Sequence, residues 1–329
     1  MKILVTGGAG YIGSHTIREL LARGHEVVAL DNLSRGHITA LEILGVPLLK
    51  VDLRDEPAMR EALKSQPFDG VVHFAAFCAA GESVEDPGLY FENNVAGTNN
   101  LLNAMVAAGV RNLVFSSSCS VYGQPDRLPV TEDTDRHPES PYGESKHLCE
   151  RLFPWFEGAH GLRTVALRYF NASGSSLDSL IGDDSRPASR LIPRVMKSIL
   201  KGGGVSLFGS DYPTRDGTCV RDYIHVLDLA SAHILALDYL VAGGRGEFFN
   251  VGVGVGYTNR EVVETIRRVS GIDFAVEYAA RRPGDPAEVY GDTSKIRRVL
   301  GWSPVYSDLE TIIRTDWAWH SSHPDGYKD

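Results

Sequence analysis

Between an apolar run, Lys2–Val5, and a helical pattern, Ser14–Arg23, stands Thr6-Gly7-Gly8-Ala9-Gly10-Tyr11-Ile12-Gly13. The segment fits both Gly-x-x-Gly-x-x-Gly (Gly7, Gly10, Gly13) and Gly-x-Gly-x-x-Gly (Gly8, Gly10, Gly13). Glycines there permit positive φ, let the backbone approach a pyrophosphate, and bring helix and strand close. The helix N-terminus adds unpaired N–H groups and a partial positive charge. A lone glycine motif is weak evidence, but this one has its strand, its helix and, after the second strand Glu26–Leu30, Asp31. A carboxylate there suits an adenosine ribose and repels a 2′-phosphate, which favours NAD over NADP. Arg35 pulls the other way, since it could meet such a phosphate. The bland alternative is a packing turn with Asp31 as a solvated strand end. Asp52, ending a third strand, could meet the adenine amino group or simply cap the next helix.

The first half of the chain alternates strands with helices. Further strands read as Gly70–Phe74, Asn112–Ser116 and Arg163–Arg168; helices read as Pro57–Ser65, Leu89–Ala108 and Glu144–Gly158. This rhythm predicts an α/β fold of Rossmann type, a doubly wound parallel sheet with helices on both faces. Beyond Asn171 it changes to a polar loop (Gly174–Pro187), then Leu191–Leu200, Val205–Phe208, Arg221–Val226, Leu229–Val241, Glu247–Val251, Asn259–Ser270 and Phe274–Tyr278. The expectation is a cofactor-binding domain over 1–171 and a smaller C-terminal α/β substrate lobe over 172–329, with some lobe segments returning to the large sheet.

Composition excludes several function classes. Lys+Arg 33 against Asp+Glu 42 gives −9, which argues against broad binding to nucleic acid or anionic membranes. No apolar run reaches the ~18 residues that span a bilayer, and the N-terminus runs straight into the first strand, so no signal peptide is expected. Cys78, Cys119, Cys149 and Cys219 form no C-x-x-C, so neither a disulfide framework nor a metal site is expected, and a cytoplasmic location follows.

Tyr142-Gly143-Glu144-Ser145-Lys146 sets a phenol and an ammonium at i and i+4, on one helix face. An ammonium ~5 Å from a phenolate, at an effective dielectric of ~20, is worth roughly 3 kcal/mol, or about 2 pKa units. The expectation is a Tyr142 moved toward neutral pH, able to take and return a proton. Ser116-Ser117-Ser118 ends a strand where open parallel sheets bind ligands, but spacing alone does not choose among the three. His225, on an apolar strand, reads as a satisfied core histidine.

Thr6–Gly13, Asp31-Asn32, Phe74-Ala75-Ala76, Gly81-Glu82-Ser83, Ser116–Gly123 (SSSCSVYG), Tyr142–Lys146, Arg168–Asn171 (RYFN) and Gly217–Val226 (GTCVRDYIHV) together resemble the UDP-glucose 4-epimerase family of extended short-chain dehydrogenases/reductases. The likeness runs to Trp317–His320 and Pro324–Tyr327. It implies a seven-stranded parallel sheet, tightly held NAD, and a homodimer formed around Leu89–Ala108 and Glu144–Gly158. It also implies interconversion of UDP-glucose and UDP-galactose through a 4-keto sugar. Carried over, Tyr142 is the base, Lys146 its electrostatic partner and Ser118 the hydroxyl at the sugar O4. The NAD contacts become Gly7, Gly10, Tyr11, Ile12, Gly13, Asp31, Asn32, Asp52, Leu53, Phe74, Ala75, Ala76, Asn93 and Phe170, beside Tyr142 and Lys146. The UDP-sugar falls to Asn171, Leu191, Phe208, Arg221, Arg282 and Asp285, beside Ser118 and Tyr142. Arg221 and Arg282 suit a diphosphate; each could instead be a surface ion pair.

Three positions depart from the family pattern. Cys78 stands where several members carry Lys near the cofactor. Ser189-Arg190 replaces two Asn, which gives Arg190 to the substrate diphosphate. Val289 stands where some members carry Tyr beside the sugar, which would admit a 2-acetamido group. Competing readings are another nucleotide-sugar epimerase, acting on uronic acids or pentoses, and a non-catalytic NAD sensor, which should lack Tyr142 or Lys146. A 4,6-dehydratase would need Asp-Glu where Cys119-Ser120 follows Ser118.

Overall fold

Alternate residues of the first strand, Lys2–Thr6, enter two different cores. Ile3 and Val5 pack with Ile17, Leu20, Leu229 and Leu237 on one face, while Leu4 packs with Met59, Leu101, Leu102 and Phe115 on the other. A strand covered on both faces must be apolar at every position, which is why Ile-Leu-Val runs unbroken here. In the computed structural model, which describes residues 1–282 and 285–329, this strand lies inside a seven-stranded sheet. The order is Glu247–Val251, Arg163–Tyr169, Asn112–Ser116, Gly70–His73, Lys2–Thr6, Glu26–Asp31, Leu48–Lys50, every pairing parallel. Strand order reverses between Lys2–Thr6 and Gly70–His73, and ligands of open α/β sheets bind at such switch points.

The 171/172 boundary is crossed. Glu247–Val251 pairs with Arg163–Tyr169, and the helix Val226–Val241 packs its Leu229, Ile234 and Leu237 into the main core. What remains is a lobe in which Val220–His225 pairs with Asn171–Ser173, Gly256–Thr258 and Glu288–Val289, while Val205–Phe208 pairs with Val276–Ala279. Ile192, Val195, Met196, Val262, Ile266, Ile312 and Ile313 form its core.

Two helices begin earlier than apolar periodicity alone suggests. The first spans Tyr11–Ala22 instead of starting at Ser14, so Gly13 lies within its first turn. The Tyr142 helix spans Pro141–His160, with Ser140 capping the Gly143 N–H at 3.2 Å and Pro141 at its first position. In both cases the extra turn carries the functional residues. The expected helix Leu89–Ala108 divides into Pro87–Tyr90, a π-helical turn Phe91–Ala96, and Gly97–Ala108. π-turns recur at functional sites, and here one points Asn93 into the cleft beyond the sheet.

Candidate active site

The cleft opens beyond the carboxyl ends of the central strands, at the switch point. Its floor is the glycine turn. Gly7 has φ +69°, and a Cβ on Gly13 would lie 2.2 Å from the Gly7 carbonyl oxygen, so no larger residue fits there without moving backbone. Gly10 is the N-cap and offers no side-chain cap, and the first turn carries no acid, which leaves the helix N-terminus facing the cleft. At the rim Asp31 is buried and accepts from the backbone N–H groups of Ala9 (3.0 Å) and Leu33 (2.8 Å). Burial raises its pKa, and those two donors draw it back.

Arg35, the residue that weighed toward a phosphorylated ribose, is taken by Glu82 at 2.5 Å and lies over Phe77. Asp52 is turned aside, bound by both Arg54 nitrogens (2.9 and 2.8 Å) and by Asn32, and the Arg54 guanidinium holds it well below the usual carboxylate range. Its neighbours Val51 and Leu53 line the cleft with Phe74, Ala75, Ala76 and Cys78. Phe170 is buried outside the cleft lining, packed so close to Gly291 that a Cβ there would lie 2.4 Å from its ring.

Tyr142 and Lys146 line the same cleft, as do Ser116 and Tyr169. Lys146 is buried, donates to the Ser116 carbonyl at 2.8 Å, and lies over the Phe115 ring at 4.8 Å. Burial lowers its pKa. Tyr142 runs against expectation, for burial raises its phenol well above 10, Tyr169 and Cys78 add to the rise, and a hydrogen bond with the Ser118 hydroxyl opposes it. In the protein alone Lys146 does not bring Tyr142 toward neutrality, because desolvation dominates and the ammonium is directed at a carbonyl.

Tertiary contacts distinguish the three serines. Ser116 Oγ meets the Tyr169 hydroxyl at 2.6 Å; Ser117 donates to Glu150 at 2.6 Å; Ser118 caps the Ser120 N–H at 3.1 Å and interacts with Tyr142. Ser117 thereby anchors the serine turn to a buried ion pair, in which Arg168 grips Glu150 through two bonds of 2.9 and 2.7 Å. Arg168 also donates to the Tyr122 hydroxyl (2.8 Å), which donates to Asn250 (2.7 Å). Sequence reasoning missed Glu150 and Tyr169. An arginine inside the apolar run Val165-Ala166-Leu167-Arg168 was the available signal, since a charge there requires a buried partner.

A second cluster forms across Val220–His225. Arg221 pairs with Asp285, and Val289 lies opposite Arg221 in register. Phe208 has Arg282 over its ring at 4.1 Å and Arg194 at 5.3 Å. Arg194, also missed, donates to the Ser206 carbonyl at 2.9 Å; burial and then the Arg282 charge lower its pKa. Arg194 and Leu191 belong to the helix Leu191–Ile199, and Asn171 pairs with Tyr223. Arg190 does not join this cluster and lines the first cleft. His225 is fully buried, with its ring accepting from the Leu227 N–H, as a core residue. Among the described residues no metal-binding group of three His, Cys, Asp or Glu forms, and no helix is long and apolar enough to cross a membrane.

A glycine cradle, a ribose carboxylate and a Tyr/Lys helix at one switch point narrow the comparison to dinucleotide enzymes, and residues 3–252 match the NAD dependent epimerase/dehydratase family. The chain belongs to that family. It is 46% identical over 333 residues to the UDP-glucose 4-epimerase of Lactobacillus helveticus, with 100% of each chain covered. Among solved structures it is similar to the UDP-glucose 4-epimerase of Brucella ovis in complex with NAD (44% identity, TM-score 0.93, 96% of this chain and 97% of that one). It is also similar to that of Bifidobacterium longum with NAD+ and UDP (36% identity, TM-score 0.94, 99% and 100%). NAD is the family member's cofactor here as well, and the cleft fits it: the Gly7 and Gly13 positions are closed to any Cβ, as a pyrophosphate cradle requires. The protein is an NAD-dependent epimerase.

Proposed function

We propose that the protein interconverts UDP-glucose and UDP-galactose by inversion at C4, with Tyr142 as the base, Ser118 at O4 and Lys146 as the fixed cation. The observation that carries this is Tyr142: a buried phenol lining the cofactor cleft together with Lys146. NAD held over the glycine turn of Gly7, Gly10 and Gly13 would supply a reversible hydride acceptor for C4 and a positive charge that favours the phenolate of Tyr142. Tyr142 receives the O4 proton and gives it back, and Ser118 keeps O4 in line with it. Arg221, Arg282 and Phe208 hold the UDP, so the 4-keto sugar turns without escaping, and binding energy far from C4 serves the reacting centre. The net redox change is zero.

The sugar half of this reading comprises 172–329, less the segments paired with the large sheet, and the glycine turn proposed to hold NAD lies in 1–171. A homodimer around Leu89–Ala108 and Glu144–Gly158 is part of the proposal; Trp155, on the second segment, is 77% exposed. The four free thiols support a cytoplasmic setting. Val289, buried and paired in register with Arg221, is smaller than the tyrosine some family members carry there, which supports a second substrate pair, UDP-GlcNAc and UDP-GalNAc. The test is incubation of purified protein with UDP-galactose and no added cofactor. UDP-glucose is the expected product, and bound NAD without turnover would favour the sensor reading.

A further inference from the structure

Arg190 caps the helix Leu191–Ile199, which starts between the two clusters. By resemblance it would serve the substrate diphosphate, yet it lies apart from Arg221, Arg282 and Phe208 and lines the cleft of Gly10, Tyr11, Ile12 and Gly13. Its guanidinium stacks over the Tyr11 ring at 4.8 Å. One nitrogen, Nη2, donates both to Asp183 (2.5 Å) and to the Ser185 hydroxyl (3.0 Å). Asp183 is itself buried and held by the Ser185 N–H at 3.0 Å, so the guanidinium is aimed by a fixed carboxylate. Among the described residues Nε and Nη1 have no hydrogen-bond partner, and the side chain keeps 34% exposure toward the cleft.

We propose that Arg190 is a cofactor-binding residue, reaching from the second lobe to the pyrophosphate and adjoining ribose of NAD. Tyr11 opens the helix whose N-terminus faces the pyrophosphate, and a guanidinium lying on the Tyr11 ring stands beside that position. Of the other cations lining the cleft, Lys146 is committed to the Ser116 carbonyl, and Arg35 pairs with Glu82 through one nitrogen, as Arg190 pairs with Asp183. A planar guanidinium on a cleft-lining residue, with two nitrogens not committed to Asp183 or Ser185, suits phosphate oxygens in pairs. NAD would thereby be held from both the glycine turn and the substrate lobe. The inference rests on the cofactor, not on the identity of the sugar.

The experiment compares wild type with Arg190→Gln and Arg190→Lys, purified as holoenzymes. NAD per protomer is measured after denaturation, NAD loss is followed during dialysis, and UDP binding is measured by calorimetry. Arg190→Gln is expected to lose NAD at least tenfold faster and to purify with less than one NAD per protomer. Arg190→Lys should recover part of the retention, and UDP affinity should stay within twofold in both. Unchanged NAD retention with weakened UDP binding would overturn the proposal and return Arg190 to the substrate. Unchanged values for both ligands would make it structural only. If Arg190→Gln fails to fold, Arg190→Lys decides: NAD loss at the wild-type rate contradicts the proposal.

Discussion

At the glycine turn a Cβ on Gly13 would lie 2.2 Å from a carbonyl oxygen, whereas in the second lobe two guanidiniums stand over the Phe208 ring at 4.1 and 5.3 Å. The first half of the site is a backbone mould at the end of the seven-stranded parallel sheet, with no slack for a side chain. The second is built from side chains on strands of two to six residues, and it works by charge and stacking. A mould suits a cofactor that stays, since its cost in ordering was met on folding. Charges on long side chains suit a handle that is gripped while the sugar beyond it turns. The contrast assigns different failures to the two halves, and each can be provoked.

The largest effect is expected at the junction. Tyr142→Phe should lower kcat by roughly 10²- to 10⁴-fold, the usual range for a lost acid–base group, while melting temperature and NAD content stay at wild-type values. Near-normal turnover with NAD retained would remove Tyr142 from the chemistry. In the mould, Gly13→Ala should yield folded protein without NAD, or no folded protein, because the methyl group meets main chain; stoichiometric NAD in the variant would break the contrast. In the second half losses should be graded. Arg221→Leu removes charge-assisted bonds of about 1.5–3 kcal/mol, so KM for UDP-sugars should rise roughly tenfold or more with NAD content unchanged. Arg194→Leu should raise KM less, since Arg194 shares its work with Arg282. Val289→Tyr should reduce turnover of N-acetylated UDP-sugars and spare UDP-galactose; equal losses would remove size as the determinant.

The smallest and least local effect is on stability. Burial lowers His15, His233 and His320 to about 4 and His73 and His225 to about 3, below an ordinary value near 6.5. On acidification the unfolded chain binds these protons first, so their contribution is intact above pH 6.5 and is lost toward pH 4. Burial raises Asp222 to about 6 and Asp316 to about 7, which opposes this trend, but the histidines outnumber them. The melting temperature should therefore be lower at pH 5 than at pH 7, and a higher value at pH 5 would give the carboxyl groups control.

The same contrast explains what could be read from the chain. Thr6–Gly13, Asp31 and the Tyr142/Lys146 pair were legible because their meaning lies in local spacing. The helix starts at Tyr11 and Pro141 were displaced by three residues because capping and glycine packing, not apolar periodicity, begin those helices. The roles of Ser116, Ser117 and Ser118 depend on Tyr169, Glu150 and Tyr142, partners 24 to 53 residues away, and no local pattern separates them. That Arg190 lines the cleft of the glycine turn was not legible for the same reason: adjacency to Leu191 says nothing about which face of the helix start an N-cap side chain takes.

The central claim is that one hydrogen leaves C4 and returns to it inside a closed cleft while Tyr142 handles only the hydroxyl proton. Turnover of UDP-galactose in D2O, with the product C4 examined by mass spectrometry and NMR, tests this directly. UDP-glucose with no deuterium at C4 is the predicted result, and deuterium at C4 would contradict the account.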